Sequence, residues 1–442
     1  MNVLFYRLRW IVAARSSAAA IAFTLASRVG VLGLNVATGI MIARTLGPAG
    51  RGAAAAVALW PVVLCGMLTL GIPVALRYYI RRNPRDAEEY FSIGLLLSAL
   101  LGAIATVVGL LVLPYWLRHY PVSVVRYAQA MMFFAPLISI NTLLQAYLEA
   151  RGWFARSSSM VSLPTAGTLL CLLGLFAFHA LDPLTVPLAY EIPFSIATIA
   201  MLYRLRRSIR KPWDLVRRGR VLLHFGARAY GIDLINTLSA QIGQVIVIGS
   251  LSAGSFGLFA VAINASRLLG VVGSSLDTVL FPKASELDRE DAIALVLRLA
   301  RVIFAANVIA GALLIAAMPF LVRLAYGVKY AAVTPVAQVL TAEIIVGATV
   351  GTLSQAFMAT GRPGLVTVFQ TVGLCTSFPL LLVLVPRYGL LGAAYAIFLS
   401  TAVRLIFVLI AYPLFLRHRV PRLLLTAQDV LDIRARLTRA MT

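Results

Sequence analysis

The sequence predicts an all-α integral membrane fold of about twelve transmembrane helices, in two pseudo-symmetric six-helix lobes around a central cavity. The observations behind this prediction are composition, a series of long apolar segments, and a pattern that recurs in both halves. Of the 442 residues, 61% are hydrophobic and only 12% are charged, whereas a soluble domain has about 45–50% apolar and about 25% charged residues. Lipid must therefore be the solvent for much of the chain.

The apolar segments are each long enough to cross a bilayer and must be helices, because only a helix satisfies its own backbone in hydrocarbon. Turn-forming pairs such as Gly47-Pro48 and Asn83-Pro84 separate them. In chain order the predicted spans are 17–43, 53–76, 91–113, 127–148, 159–180, 184–203, 229–250, 256–280, 298–320, 332–358, 364–385 and 389–415.

The basic residues predict the orientation of these spans. The formal net charge is +23, and about 29 of the 39 Lys and Arg residues fall on the side of the membrane that holds residues 1–17, against about 7 on the other side. By the positive-inside rule, both termini are expected in the cytoplasm. Because these residues lie in short segments between apolar ones, the chain is not expected to bind nucleic acid.

The richest basic segment is 204–228, and two interpretations of it are open. It could be a patch for anionic lipid headgroups, or a topology determinant that joins two halves, which we favour. Residues 417–442 mix leucines with arginines, as an interfacial amphipathic helix would. The predicted domains are an N-terminal lobe with its basic linker (1–215), a C-terminal lobe (216–416) and a cytoplasmic amphipathic tail (417–442).

An internal repeat relates the two halves. A Gln-Ala-aromatic motif occurs at Gln145 and again at Gln355, and the turn at residues 46–52 has a counterpart at 251–257. With an even number of spans in each half, the repeats are parallel and related by an axis along the membrane normal. A substrate path is then expected between the halves, near the membrane midplane.

Polar residues inside the spans are the candidate substrate-binding residues, because a charge near the bilayer centre costs about 2.5–3.5 kcal/mol. Arg28 and Asn35 share one face of the first span, seven residues apart. Asn264 and Arg267 share one face of the eighth, and both arginines are expected about 16 Å from a membrane surface. The seventh span adds Asp233 and Gln244, on one face.

Two interpretations of these charges remain open. Arg28 and Arg267 could face a water-filled cavity and bind phosphate oxygens, which suit the paired N–H donors of guanidinium. Alternatively each could be held by a carboxylate, for example Arg267 by Asp233. Arg404, Glu343 and Asp277 are secondary candidates: the carboxylates are either coupling-ion sites or structural counter-ions, and the structural role is favoured.

No motif predicts catalysis or a bound cofactor. The sequence has no Walker loop, no His-Glu-x-x-His and no Gly-x-Ser-x-Gly. Its four histidines are scattered, and its three cysteines lie inside apolar spans, so neither a metal site nor a disulfide is expected. The chain is therefore not expected to be an enzyme. Energy is expected from an ion gradient, the membrane potential or the substrate's own gradient.

Four segments resemble polysaccharide-export flippases, which include O-antigen flippases and the related lipid II flippase. They are IARTLGPAGRG at 42–52, FPKASE at 281–286, YGVKY at 326–330 and YGLLGAA at 388–394. The resemblance implies the multidrug/oligosaccharidyl-lipid/polysaccharide exporter fold, with alternating access. It also implies that Arg28 and Arg267 hold a lipid pyrophosphate, and that Arg51 belongs to an outer gate. The two extra C-terminal spans of the lipid II flippase are lacking, which favours the polysaccharide branch.

The functional hypothesis is a flippase that moves an undecaprenyl-pyrophosphate-linked oligosaccharide across the bacterial inner membrane for polysaccharide biosynthesis. Membrane lipids, a polysaccharide polymerase and glycosyltransferases are the other expected partners. One alternative is a cation-coupled multidrug exporter of the same fold, which would need acidic cavity residues. A second alternative is a non-transporting membrane scaffold, which long tails or docking domains would favour.

Overall fold

The computed structural model describes residues 17–210, 214–285 and 288–424, without the side chains of 17–29, 32, 232–233 and 270–285. These residues are almost entirely helical, and the described part of the chain contains no strand. The helices of the first half are α1 (Ser17–Leu68), α2 (Ile72–Arg82), α3 (Ala87–Trp116), α4 (Val122–Met131), α5 (Ala135–Ala150), α6 (Phe154–Ala177) and α7 (Thr185–Arg204). Those of the second half are α8 (Leu215–Ser250), α9 (Ala253–Ser285), α10 (Arg289–Tyr326), α11 (Thr334–Ala359) and α12 (Pro363–Ala411).

Two of these helices are long enough for two spans each and are broken in the middle by a glycine. In α1 the break is at Gly47, with φ of 67°, and in α12 it is at Gly389, with φ of 59°. Only glycine adopts this left-handed region without strain. Gly47 lies between the predicted spans 17–43 and 53–76, and Gly389 lies where the span 389–415 was predicted to begin.

The predicted fold class is confirmed. Eight helices of the described residues are apolar and long enough to cross a bilayer. A ninth, α8, is bent by 53° near residue 232, and α9 is apolar over Ala253–Leu269. Counting α1 and α12 twice, and α4 with α5 once, the described residues contain twelve apolar helical segments, in agreement with the predicted number of spans.

Three predicted boundaries are wrong. The second span was expected over 53–76, but its helix ends at Leu68, and Gly71, with φ of 66°, separates it from the short helix α2. The seventh span was expected to begin at residue 229, but its helix α8 already begins at Leu215. Residues 417–424, at the start of the expected amphipathic helix, are not helical, and the rest of that tail lies outside the described residues.

The chain divides into two compact units. The first contains the residues up to Gln241 together with Leu251–Gly257, and the second contains Ile242–Ser250 and the residues from Leu258 onward. In the first unit, Phe91 stacks on Tyr147 with ring centroids 4.1 Å apart, inside a cluster of buried apolar residues. In the second, the hydroxyl of buried Tyr412 donates to the carbonyl of Leu353 at 2.9 Å. The predicted boundaries at 215 and 416 stay predictions.

Candidate functional site

A cavity of about 450 Å³ lies inside the first unit, among α1, α5, α6 and α7. Its size is that of a typical small-molecule site. Most of the wall is apolar, but eight lining residues carry hydrogen-bonding groups. These are Asn35, Asn141, Gln145, Tyr190 and Glu191, together with three threonines. Such groups inside membrane-spanning helices are costly, which marks the cavity as the leading candidate site.

Glu191 is the one carboxylate among the residues that line this cavity, and its side chain is only 8% exposed. It lies on α7, two residues before Pro193, which is inside the helix. Because a proline ring lacks a backbone N–H, Pro193 cannot donate the helical hydrogen bond to the carbonyl of Ala189. The sequence prediction did not include Glu191 in the site, although a carboxylate inside an apolar span was the signal that could have found it.

A chain of hydrogen bonds fixes the amides of the cavity wall. Gln145 Nε2 donates to Asn141 Oδ1 at 2.6 Å, and Asn141 Nδ2 donates to Thr198 Oγ1 at 2.8 Å. Thr198 in turn donates to the carbonyl of Phe194. The chain ties α5 to α7 and orients both amides. Gln145 belongs to the repeated Gln-Ala-aromatic motif, so one copy of the motif contributes a residue to the cavity wall.

Of the predicted substrate-binding residues, Asn35 is placed on the cavity wall. Asn264 is half-buried on α9, and Arg267, on the same helix, is exposed. Arg267 makes no salt bridge within the part of the chain that the structure describes. Gln244 is half-buried on α8. The side chains of Arg28, Asp233 and Asp277 lie outside the described residues, so their predicted roles stay predictions, as does a pair between Arg267 and Asp233.

Arg51, predicted as a gate residue, is buried at 6% exposure just after the break in α1. Its guanidinium donates to the backbone carbonyl of Gly39, on the other side of the break. This bond joins the two halves of α1 across the turn. Arg51 thus stabilises the turn geometry here, and its predicted role in a gate stays a prediction.

The second unit contains a separate polar cluster on α11 and α12. The Thr401 hydroxyl donates to Glu343 Oε1 at 2.8 Å, and Arg404 donates to Gln370 Oε1 at 2.6 Å. No salt bridge joins Glu343 to Arg404, although both approach Gly347: a Cβ there would lie 3.4 Å from Glu343 Oε1 and 3.9 Å from Arg404 Nη2. The cluster brings two of the predicted residues, Glu343 and Arg404, together with Gln370 and Thr401.

The described residues contain no group of three His, Cys, Asp or Glu side chains that could hold a metal ion. The hydrogen-bonding groups on the cavity wall are amides, hydroxyls and one carboxylate. Sugar hydroxyl groups and polar or cationic small molecules are ligands that such a set suits.

The fold is that of known membrane transporters. A lipid II flippase, MurJ, in an inward closed conformation superimposes with a TM-score of 0.72 at 16% identity, over 93% of this chain and 90% of that one. An inward-facing multidrug resistance MATE family transporter of the MOP superfamily superimposes with a TM-score of 0.69 at 16% identity, over 85% of this chain and 92% of that one. A MOP superfamily transporter from Pyrococcus furiosus superimposes with a TM-score of 0.61 at 16% identity, over 88% of this chain and 94% of that one.

These similarities and the apolar helices define the chain as a multi-pass membrane protein with the MOP-superfamily transporter fold. Residues 41–335, about two thirds of the chain, match the family of polysaccharide biosynthesis proteins. The chain belongs to that family, and the resemblance found in its sequence motifs is confirmed. No curated protein matches the chain.

Proposed function

We propose that the protein is a flippase that translocates an undecaprenyl-pyrophosphate-linked oligosaccharide across the bacterial inner membrane by alternating access. The observation that supports this most is that a chain with a transporter fold belongs to a polysaccharide biosynthesis family. Polysaccharide made on a lipid carrier at one membrane face has to cross before it is used at the other. A protein of this fold and family would carry out that step.

The cavity of the first unit suits the glycan part of this substrate. Asn35, Gln145 and Tyr190 present amide and phenol groups to it, and Glu191 adds an acceptor. Sugar hydroxyls both donate and accept, so a wall with both kinds of group can replace their water contacts. The predominantly apolar remainder of the wall would contact the faces of sugar rings.

The pyrophosphate would be bound by Arg28 and Arg267. Guanidinium groups keep their charge and present paired donors to phosphate oxygens. Arg267 is exposed and makes no salt bridge among the described residues, so its guanidinium is accessible to an anionic ligand. The lipid tail would stay in the bilayer while the headgroup crosses. Coupling to an ion gradient or to the membrane potential belongs to the same proposal, as do a polymerase and glycosyltransferases as partners.

Export of polysaccharide in the native host tests the proposal. The variants Arg28→Ala and Arg267→Ala should abolish surface polymer and leave lipid-linked oligosaccharide accumulated inside, with normal protein level. Arg387→Ala is the control, because Arg387 is exposed, as Arg267 is, but lies at the break in α12. Normal export in both test variants would contradict the assignment.

The proposed orientation has both termini in the cytoplasm. Reporter fusions test it: a phosphatase fused after His119, in the connection between α3 and α4, should be active outside the cytoplasm, and one fused to the C-terminus should be inactive. The reverse pattern would overturn the orientation.

One observation favours a second candidate, a multidrug exporter. A cationic drug needs a carboxylate in the binding cavity, and Glu191 provides one. Overexpression in a drug-sensitive strain discriminates between the two. Raised resistance to cationic dyes that Glu191→Gln abolishes would favour drug export, while unchanged sensitivity would favour the flippase.

A further inference from the structure

A second cavity, of about 520 Å³, opens beside the first turns of α8, away from the polar cavity of the first unit. Its basic wall consists of Arg217, Arg220 and His224, and Tyr79 of α2 lines it as well. Residues at these spacings, three and four apart, lie on one face of a helix. All three basic side chains are exposed, so a ligand can reach them.

The opposite side of the same segment has its charges already paired. Arg218 contacts Glu89 at 2.6 Å and Asp86 at 3.6 Å, and Arg210 forms a salt bridge with Glu88. Arg217 and Arg220 form no salt bridge within the described residues. The basic segment therefore separates into charges used to hold it against α3 and charges directed at a cavity.

Backbone and aromatic contacts hold this segment in place. Gly71 and Gly226 approach so closely that a Cβ at Gly71 would lie 2.4 Å from the carbonyl oxygen of Gly226. The Phe225 ring stacks on Tyr78 with centroids 4.5 Å apart, and Leu222 is completely buried. A topology determinant needs only positive charge, whereas this segment has a fixed shape as well.

One acidic residue, Asp214, also lines the cavity, and it is engaged by the helix that follows. Its Oδ1 accepts a hydrogen bond from the backbone N–H of Arg217 at 3.2 Å. A carboxylate at a helix N-terminus is stabilised by the backbone donors there. The charge that faces a ligand therefore remains positive.

The cavity lies beside the ends of two apolar helices, where lipid headgroups are expected. The segment just before α8 is bonded to the first turns of α3: the backbone N–H of Arg210 donates to Ser92 Oγ at 2.9 Å. Span α7 ends at Arg204. Arginines at the ends of membrane spans meet phosphate groups, and the apolar lining residues Val216 and Val221 suit the start of a lipid chain.

We propose that the Arg217–Arg220 cavity binds the phosphate group of a lipid headgroup. Two guanidinium groups on successive turns present paired donors to phosphate oxygens, and the Tyr79 hydroxyl adds a donor at the wall. The phosphate can belong to an anionic phospholipid of the bilayer or to a polyprenyl pyrophosphate. The site stands independently of the proposed export function, because binding is measured on purified protein.

The test measures binding to the full-length protein purified in neutral detergent. The probes are phosphatidylglycerol and undecaprenyl pyrophosphate, with phosphatidylcholine as the neutral reference, and bound lipid is counted by native mass spectrometry. The test variant is R217Q/R220Q. The matched control is R204Q/R207Q, which removes two exposed arginines at the same spacing from the neighbouring segment, outside the cavity.

R217Q/R220Q should lower the affinity for at least one anionic probe tenfold or more, while the control should change it less than twofold. If binding of undecaprenyl pyrophosphate falls most, the site takes the lipid carrier, and if binding of phosphatidylglycerol falls most, it takes a bilayer phospholipid. Equal losses show that the site binds the phosphate group of either lipid. An equal loss in both double variants, or no loss in R217Q/R220Q, would overturn the proposal. The variant R217K/R220K retains the positive charges. Its affinity for the anionic probes should fall at least threefold, because lysine lacks the paired donors of arginine.

Discussion

Gly52 and Gly257 pack backbone against backbone at the start of the second half of α1 and of α9. A Cβ on Gly52 would lie 1.7 Å from the carbonyl oxygen of Ala253, and one on Gly257 would lie 1.9 Å from that of Pro48. The contact is reciprocal, since Gly52 and Gly257 occupy the same position in the two copies of the repeated turn. Both residues belong to the first unit. The repeated motif therefore encodes a close helix crossing that only glycine permits.

Replacing Gly52 with alanine should destabilise the protein. The new methyl group would overlap the Ala253 carbonyl, so the two helices have to separate, and overpacking of this kind costs about 1–3 kcal/mol. The thermal unfolding midpoint of the purified protein in detergent measures the effect. Gly174→Ala is the matched control, because a Cβ on helical Gly174 meets nothing within 4 Å. Equal midpoints for the two variants would show that the crossing is dispensable.

Asn141→Ala should remove the hydrogen-bonded chain of the cavity wall. Asn141 is 1% exposed and links Gln145 to Thr198, so its loss leaves both partners short of a bond inside the membrane region. Interhelical bonds of this type contribute about 1 kcal/mol. Unfolding in detergent measures the loss. Thr142→Ala should change little, because the Thr142 hydroxyl donates to the carbonyl of Ile138 on its own helix. A similar change in both variants would contradict the role assigned to Asn141.

Hydropathy predicts the fold because only apolar segments are stable inside the lipid bilayer. The breaks in α1 and α12 lie at glycines, Gly47 and Gly389, which are typical turn residues. The boundary errors have local causes. Ile72–Leu76 is apolar enough to extend a span, but the left-handed backbone at Gly71 ends the helix first. The predicted span excludes residues 217–220 because they are basic, but α8 includes them. Salt bridges and aromatic packing hold this part of the helix in place.

The candidate site was less predictable than the fold. The sequence indicates that Glu191 is inside a span, but a cavity wall is formed by four helices, and their rotation about their axes depends on packing. Asn35, which was selected because it shares a face with Arg28, lines the cavity, and its role in substrate binding stays a prediction. The sequence identifies Gln145 only as part of the repeated motif. Its place in the cavity depends on a contact chain to Thr198, which lies on another helix, and no sequence spacing predicts that contact.

Glu191→Gln separates two ways in which the cavity carboxyl can act. If Glu191 accepts hydrogen bonds from a glycan, the amide oxygen of glutamine does the same, and export should stay above about half of the wild-type level. Glu191→Ala removes the acceptor and should lose most export. The measurement is surface polysaccharide per unit of membrane-inserted protein. Loss of export in both variants would instead show that the negative charge itself is required.

Glu343 and Arg404 should be energetically coupled although they form no direct salt bridge. Each is held by a neutral partner, Thr401 and Gln370, and both approach Gly347, so the two charges share one region between α11 and α12. Removing either charge leaves the other without its compensating field in a medium of low dielectric. The single variants Arg404→Met and Glu343→Gln should therefore destabilise the protein by more, in sum, than the double variant does, with a coupling of about 0.5–3 kcal/mol. Unfolding of the four proteins in one detergent gives the cycle, and strictly additive changes would show that the two charges act independently.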